Sequence, residues 1–334
     1  MTASTVLDEL TCPVLPAPMA GGPTTPALVA AAAKAGSLGT LAWGTASREQ
    51  AEAQLEQLLD TGTTRWAVNL FHPQQPLREQ ERQAALAVAA AEGVELAAAD
   101  YSFGWDAKLD LALGVSTPPR VVWAMFGPFS GAEIARIHGR GTEAWVTVTN
   151  PAEAHAAAEA GADVLCVQGP DAGGHRGIWD EYAEPDQRAL PDLVRACQVG
   201  LPLLAAGGLR TAEDVARVLG LPGVAAAVCG SAFLLADEAG TSPANREMLS
   251  KGGPTVSTRA FSGRVARGLA TEYTAQHPDA PAITPISTRF CDRGARRGIR
   301  RWHTASSANR PLGWAGVGWK TSSAVLTKRR TRTR

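Results

Sequence analysis

The sequence predicts a closed parallel α/β barrel, the (β/α)₈ fold, followed by a smaller region and a basic tail. Three observations predict it. Up to about residue 236, short β-rich runs alternate with alanine-rich amphipathic stretches. About eight such repeats fall in about 235 residues, the arithmetic of a closed barrel. The β-rich runs end in Gly, Asn, Gln or Pro, whereas a doubly wound sheet carries its glycine fingerprint after the first strand and needs fewer strands.

The strands read as Val14–Met19, Gly39–Trp43, Trp66–Leu70, Arg120–Phe126, Ala144–Thr149, Val164–Gln168, Pro202–Ala206 and Val224–Cys229. Helices start between them at residues whose side-chain oxygens can accept from free first-turn N–H groups. Thr25-Pro26 opens the first, Ser47 the second, Asn150-Pro151 the fifth and Thr211-x-x-Asp214 the seventh. The connection from strand three to strand four, Phe71–Pro119, is long, and Glu95–Trp105 reads as an insertion. From Asp237 to about His277 the strand pattern stops, and polar helical text with Gly252-Gly253-Pro254 follows. The expected division is a barrel over 1–236, a helical lid or substrate region over 237–283 and an atypical tail over 284–334.

Composition narrows the class. In 334 residues no apolar run is long enough to span a bilayer, and the first ten residues hold acids but no basic leader. Five scattered cysteines without a C-x-x-C pair fit a reducing cytoplasm and no metal site. The formal net charge of zero hides an asymmetry. From Arg293 onward there are 12 Lys or Arg and no acid, so the remaining 20 basic residues face all 32 acids. The break near Ala282–Arg289 has two readings: a disordered basic tail, or a frameshifted ending. Shifting the permitted codons of Thr284–Asp292 back by one nucleotide allows Tyr-Pro-His-Ile-Asn-Ala-Leu-Leu-Arg, an amphipathic helix start.

Reactive groups in such barrels come from the carboxyl ends of the strands. Gly207-Gly208 after strand seven and Gly230-Ser231 after strand eight would let backbone N–H groups approach a phosphate, with the helix from Thr211 adding its partial positive charge. Either pair alone could be a plain turn; both at the expected positions favour phosphate. Beyond strand six, Ala172-Gly173-Gly174-His175-Arg176-Gly177 brings the chain close to a flat ligand and leaves His175 over the barrel mouth. An imidazole there suits proton abstraction from a weak carbon acid, against the plainer reading of a surface histidine in a glycine turn. His138 and His155 take the surface reading, and His72 stays undecided. Asn69 and Gln168 are strand-end amides that could address a planar heterocycle, or else cap loops. Met19 could pack on a ring face. Gly313–Thr321 only faintly imitates a phosphate loop, because Trp319 separates Gly318 from Lys320.

These motifs, in this order, resemble the nitronate monooxygenases: Ala-Pro-Met-Ala-Gly, Asn-Leu-Phe-x-Pro, Gln-Gly-x-x-Ala-Gly-Gly-His-Arg-Gly, Ala-Ala-Gly-Gly and Gly-Ser-Ala-Phe, over about residues 12–275. The resemblance implies an FMN-binding TIM barrel with a smaller substrate domain. It implies Met19, Asn69 and Gln168 around the flavin ring, Gly173 and Gly174 near it, and Gly207, Gly208, Gly230 and Ser231 on the phosphate. It further implies that His175 deprotonates a neutral nitroalkane, and that the nitronate is oxidised by FMN and O₂ to a carbonyl compound and nitrite. A donor-rich or cationic pocket near His175 and Arg176 would favour the anion. The strand-four run Val121–Phe126 departs from the family's more polar version, which bears on substrate rather than flavin.

The main rival shares the barrel: an FMN-dependent enoyl-acyl-carrier-protein reductase, with a similar histidine loop and a need for NAD(P)H. A nucleic-acid binder using the basic tail is opposed by the acidic body and by the absence of interleaved motifs. A flavin-binding protein without turnover is the third reading.

Overall fold

The computed structural model describes residues 4–91 and 100–280. The basic tail, and with it both readings of its origin, lies outside the described residues, as do residues 95–99 of the Glu95–Trp105 insertion. Eight parallel strands form one sheet: β1 (Val14–Pro16), β2 (Gly39–Ala42), β3 (Trp66–Phe71), β4 (Val121–Met125), β5 (Glu143–Val148), β6 (Val164–Gln168), β8 (Leu203–Ala206) and β9 (Val224–Cys229). The order is β1-β9-β8-β6-β5-β4-β3-β2, and β1 comes back into contact with β2, so the sheet curls into a nearly closed barrel. All eight expected strands are present, and their ends move for local reasons. β1 stops at Pro16 because Pro18 has no N–H to give to a ladder. β4 stops at Met125 because Phe126 turns to φ 72°, a left-handed conformation that costs a non-glycine residue roughly 1–3 kcal/mol.

The expected helix starts are real caps. Thr25, Ser47, Asn150 and Thr211 each accept a hydrogen bond from a first-turn N–H, with full capping boxes at Ser47 and Thr211. The helices cover the barrel's outer face. Along each strand, burial alternates between two cores. Val68, Val122, Val146, Leu165 and Leu203 pack outward against helices. Ala67, Trp123, Trp145, Cys166, Leu204 and Val228 pack inside the barrel. Val6, Leu7 and Leu10, around the short helix Thr5–Asp8, close its lower end. By the same alternation Asn69 continues the inward row of Ala67, and Gln168 that of Val164 and Cys166. Both amides therefore enter the topmost interior layer.

The region after the barrel, expected to be helical, also carries strands. After the helix Pro243–Lys251 come β10 (Thr255–Thr258) and β11 (Ala266–Leu269). β11 pairs antiparallel with β10 and with β7 (Gly174–His175), a two-residue strand on the histidine loop. Such short strands exist only through their partners, which is why local periodicity misses them.

One buried carboxylate ties the barrel to that loop. Glu153 is 6% exposed and accepts from Thr149 N (2.6 Å), Thr149 Oγ1 (2.8 Å) and Trp179 N (2.9 Å). Burial raises its pKa, and these donors pull the other way. Glu153→Leu orphans two backbone N–H groups and is expected to cost about 3 kcal/mol or more in denaturant unfolding; a loss below about 1 kcal/mol would show the network to be incidental.

Candidate active site

A cavity of about 1110 Å³ opens at the carboxyl ends of the strands. Its volume is above the roughly 300–1,000 Å³ of a pocket for one ligand, so it has room for a cofactor and a small substrate together. Of the residues singled out in the sequence, Met19, Asn69, Gln168 and His175 line it, with Gly173, Gly174, Gly230 and Ser231. Gly207 and Gly208 are not in its lining. Both have positive φ, 111° and 71°, and a Cβ on Gly207 would stand 3.0 Å from Ala172 N and 3.1 Å from Gly169 O. In this arrangement they let strand β8's turn pack against the 169–172 turn. The helix that starts after Thr211 has its entrance occupied, since Asp214 Oδ2 accepts from Arg210 N at 3.0 Å and Thr211 N at 3.1 Å. That carboxylate caps the turn where the sequence suggested an anion site, whereas Gly230 and Ser231 lie in the cavity lining.

The floor is apolar, made by Trp123, Ala206 and Val228 from the top interior layer, with the two amides among them. Asn69 Nδ2 donates to Trp123 O at 2.9 Å, which leaves its second N–H and its carbonyl for other partners. Gln168 clamps the histidine turn from below: Nε2 donates to His175 O at 3.0 Å, and Oε1 accepts from Gly177 N at 2.7 Å. An apolar floor edged by amide donors and acceptors suits a planar heterocycle of mixed edge chemistry, so the residues present fit a flavin ring.

His175 is held from three sides. Gln168 fixes its carbonyl, β11 pairs its backbone with Ala266, and Nε2 shares a 2.6 Å hydrogen bond with Ser262 Oγ of the segment before β11. Gly174, at φ 87°, makes the turn that presents the ring. Loss of hydration pushes the imidazole pKa down to about 4, with the charge of Arg264 adding to the effect. The ring is therefore neutral and able to accept a proton over the whole neutral range.

Arg176 corrects an expectation. It is 6% exposed and turns away from the cavity, Nη2 donating to Thr149 O and Asp186 O at 3.2 and 3.1 Å and Nη1 to Gln168 O. It braces the loop's backbone and does not line the cavity. Two cations do line it: Arg48, which is exposed and paired with Glu52, and Lys108, 3% exposed, whose Nζ donates to Trp43 O (2.7 Å) and Gly44 O (3.3 Å); burial pushes the Lys108 pKa down to about 8. A signal for it existed: in the helix Trp105–Gly114, Lys108 shares the buried stripe of Trp105, Leu109 and Ala112 at helical spacing. Ser262 carries no such local mark, because it meets His175 across 87 residues of chain.

The other histidines sort out. His72 is not part of the cavity lining; Nδ1 bonds Pro73 O at 2.8 Å and its ring packs edge-on to Trp105. His138 pairs with Asp163 at 2.8 Å on the outer surface, and His155 is exposed on the helix Pro151–Ala160. Among the described residues, no group of three or more His, Cys, Asp or Glu could hold a metal ion, and no helix is long and apolar enough to cross a membrane. Cys12, Cys166, Cys197 and Cys229 are buried free thiols.

Comparison with known proteins agrees with this geometry. A family model described as nitronate monooxygenase matches residues 4–322. A nitronate monooxygenase of Paraburkholderia phytofirmans is 32% identical over 333 residues, which cover 95% of this chain and 88% of that protein. The crystal structure of a nitroalkane oxidase from Streptomyces ansochromogenes superposes with a TM-score of 0.84 at 33% identity, over 96% of this chain and 98% of that one. FabK from Thermotoga maritima superposes with a TM-score of 0.68 over 97% of each chain, but at 20% identity it shows the shared fold alone.

Proposed function

Because this chain belongs to the nitronate monooxygenase family, an FMN-dependent group of oxidoreductases, we propose that it binds FMN and oxidises alkyl nitronates or nitroalkanes with O₂, giving a carbonyl compound and nitrite. One observation carries the reading: a neutral histidine, His175, faces a cavity whose floor holds Asn69 and Gln168. When bound, FMN supplies the electron acceptor for the substrate and the route to O₂. Met19 would pack on its ring face, and Asn69 and Gln168 would address the ring edge, with Gly173 and Gly174 beside it. Gly230 and Ser231 would hold the phosphate through their backbone, and Gly207 and Gly208 would serve that end by shaping the neighbouring turn.

The chain's own groups then divide the work. The proton on the substrate's nitro-bearing carbon goes to an imidazole nitrogen of His175, whose ring is oriented by the Ser262 hydroxyl. A nitronate needs no such step, and the Lys108 ammonium gives the cavity a positive potential that favours the anion. The apolar floor and the lid sheet exclude water from the reacting carbon. A small-molecule substrate and O₂ are the proposed partners, in the cytoplasm.

The test is direct. The purified protein should show a flavin absorbance spectrum and release nitrite from alkyl nitronates while consuming O₂. A flavin-free protein with no nitrite release refutes the proposal. NAD(P)H oxidation with a crotonyl thioester, without nitrite release, would replace it by the reductase reading.

A further inference from the structure

Behind His175 lies a buried cation that the reaction as described does not use. Arg264 is 2% exposed, on the lid segment that leads into β11. Nη1 donates to Gln74 Oε1 at 2.6 Å and Nη2 to Ile178 O at 2.6 Å, while Nε has no hydrogen-bond partner. Its guanidinium carbon sits 4.0 Å from the ring centroid of Phe126. The left-handed turn at Phe126 presents that same ring to His175, edge to face, with centroids 6.3 Å apart at 86°. Gln74 secures the arrangement from the barrel side by donating to His72 O, Pro73 O and Phe126 O. Lid, barrel loop and histidine thus meet at one stacked pair.

We propose that Arg264 is a positioning residue for the reaction: its stack on Phe126 fixes the wall behind His175, and its charge holds the imidazole uncharged until the substrate proton arrives. A fixed cation near a buried imidazole disfavours imidazolium, in the same direction as burial. The other groups around the ring leave this effect in place. Gln168 and Ser262 touch His175 and are neutral. Arg176 is turned to backbone carbonyls, and Arg267 reaches Pro170 O and Thr255 Oγ1. Arg48, Lys108 and Asp100 line the same cavity. Beside Arg264, Arg259 carries charge of the same sign and Glu181, Glu153 and Asp180 the opposite one, yet the guanidinium still acts on the imidazole as a cation.

The proposal rests on His175 being the base, and its test reads the imidazole without turnover. In the FMN-loaded protein, the His175 ring resonances are assigned by their loss in His175→Asn and then titrated by NMR. The wild type should stay neutral to below about pH 5. In Arg264→Met the midpoint should rise by about one pH unit or more, and in Arg264→Lys it should stay low. The acid limb of kcat/KM on a neutral nitroalkane should move up with it. At a pH below both midpoints, activity should fall by about tenfold per unit of that rise. If Arg264→Met does not fold, Arg264→Gln keeps a donor for Ile178 O and carries the same reading. A wild-type midpoint near 6.5, or an unchanged midpoint on removing the charge, overturns the proposal. A moved midpoint, with full nitroalkane turnover in His175→Asn, would instead sink the base assignment and leave the charge effect standing.

Discussion

His175→Asn is expected to slow turnover of a neutral nitroalkane by about 10²-fold or more while leaving pre-formed nitronate close to wild-type rates. The asymmetry follows from the chemistry. Only the neutral substrate has a carbon-bound proton to lose, and an amide has no useful affinity for it. The substitution is also mild for the fold. The ladder between β7 and β11 runs through backbone atoms and Gln168 grips the backbone carbonyl of residue 175, so both survive the change. Nitrite release measured side by side on nitroalkane and nitronate decides the matter. Equal losses on both would move His175 from proton transfer to binding or folding.

Gly230→Asp is expected to strip the protein of flavin. Gly230 lines the cavity at φ −96°, a conformation open to any residue, and a Cβ there would meet nothing closer than Ala17 Cβ at 3.5 Å. A carboxylate can therefore be added without strain. Against a phosphate about 4 Å away at a partly exposed site, two unit charges repel by up to about 4 kcal/mol, and screening still leaves a loss of affinity of tenfold or more. Gly230→Ala, which adds the methyl and no charge, should keep its flavin. Full flavin occupancy in purified Gly230→Asp would put the phosphate elsewhere. Gly208→Asp is a poorer probe, because φ is +71° and the new Cβ would stand 3.1 Å from Asp171 Cβ, so that strain and charge are mixed.

Much of this site is legible residue by residue. The placing of Asn69 and Gln168 in the carboxyl-terminal parts of their strands, and of Gly230 just after its own, follows from short β-rich runs followed by polar residues and glycines. The caps at Thr25, Ser47, Asn150 and Thr211 follow from side-chain oxygens placed to meet free N–H groups. Each of these signals lies within a few residues of what it determines. The turn Gly173-Gly174-His175 belongs to the same kind, because only glycine readily adopts the φ of 87° at Gly174.

The remainder depends on parts of the chain that are far apart in sequence. β10 and β11 are four-residue strands that hold together by pairing with each other and with β7. The direction of Arg176, away from the ligand and onto backbone carbonyls, depends on where Thr149 and Asp186 happen to pass. The pairing of Ser262 with His175, and the stack of Arg264 on Phe126, join the β10–β11 region to the barrel across 87 and 138 residues of chain. Local order is encoded in hydrogen-bonding and steric preferences that act over one turn or one strand. The protonation state of His175 instead depends on burial and on the charge of Arg264, and both exist only once the barrel has closed and the β10–β11 region has packed on it.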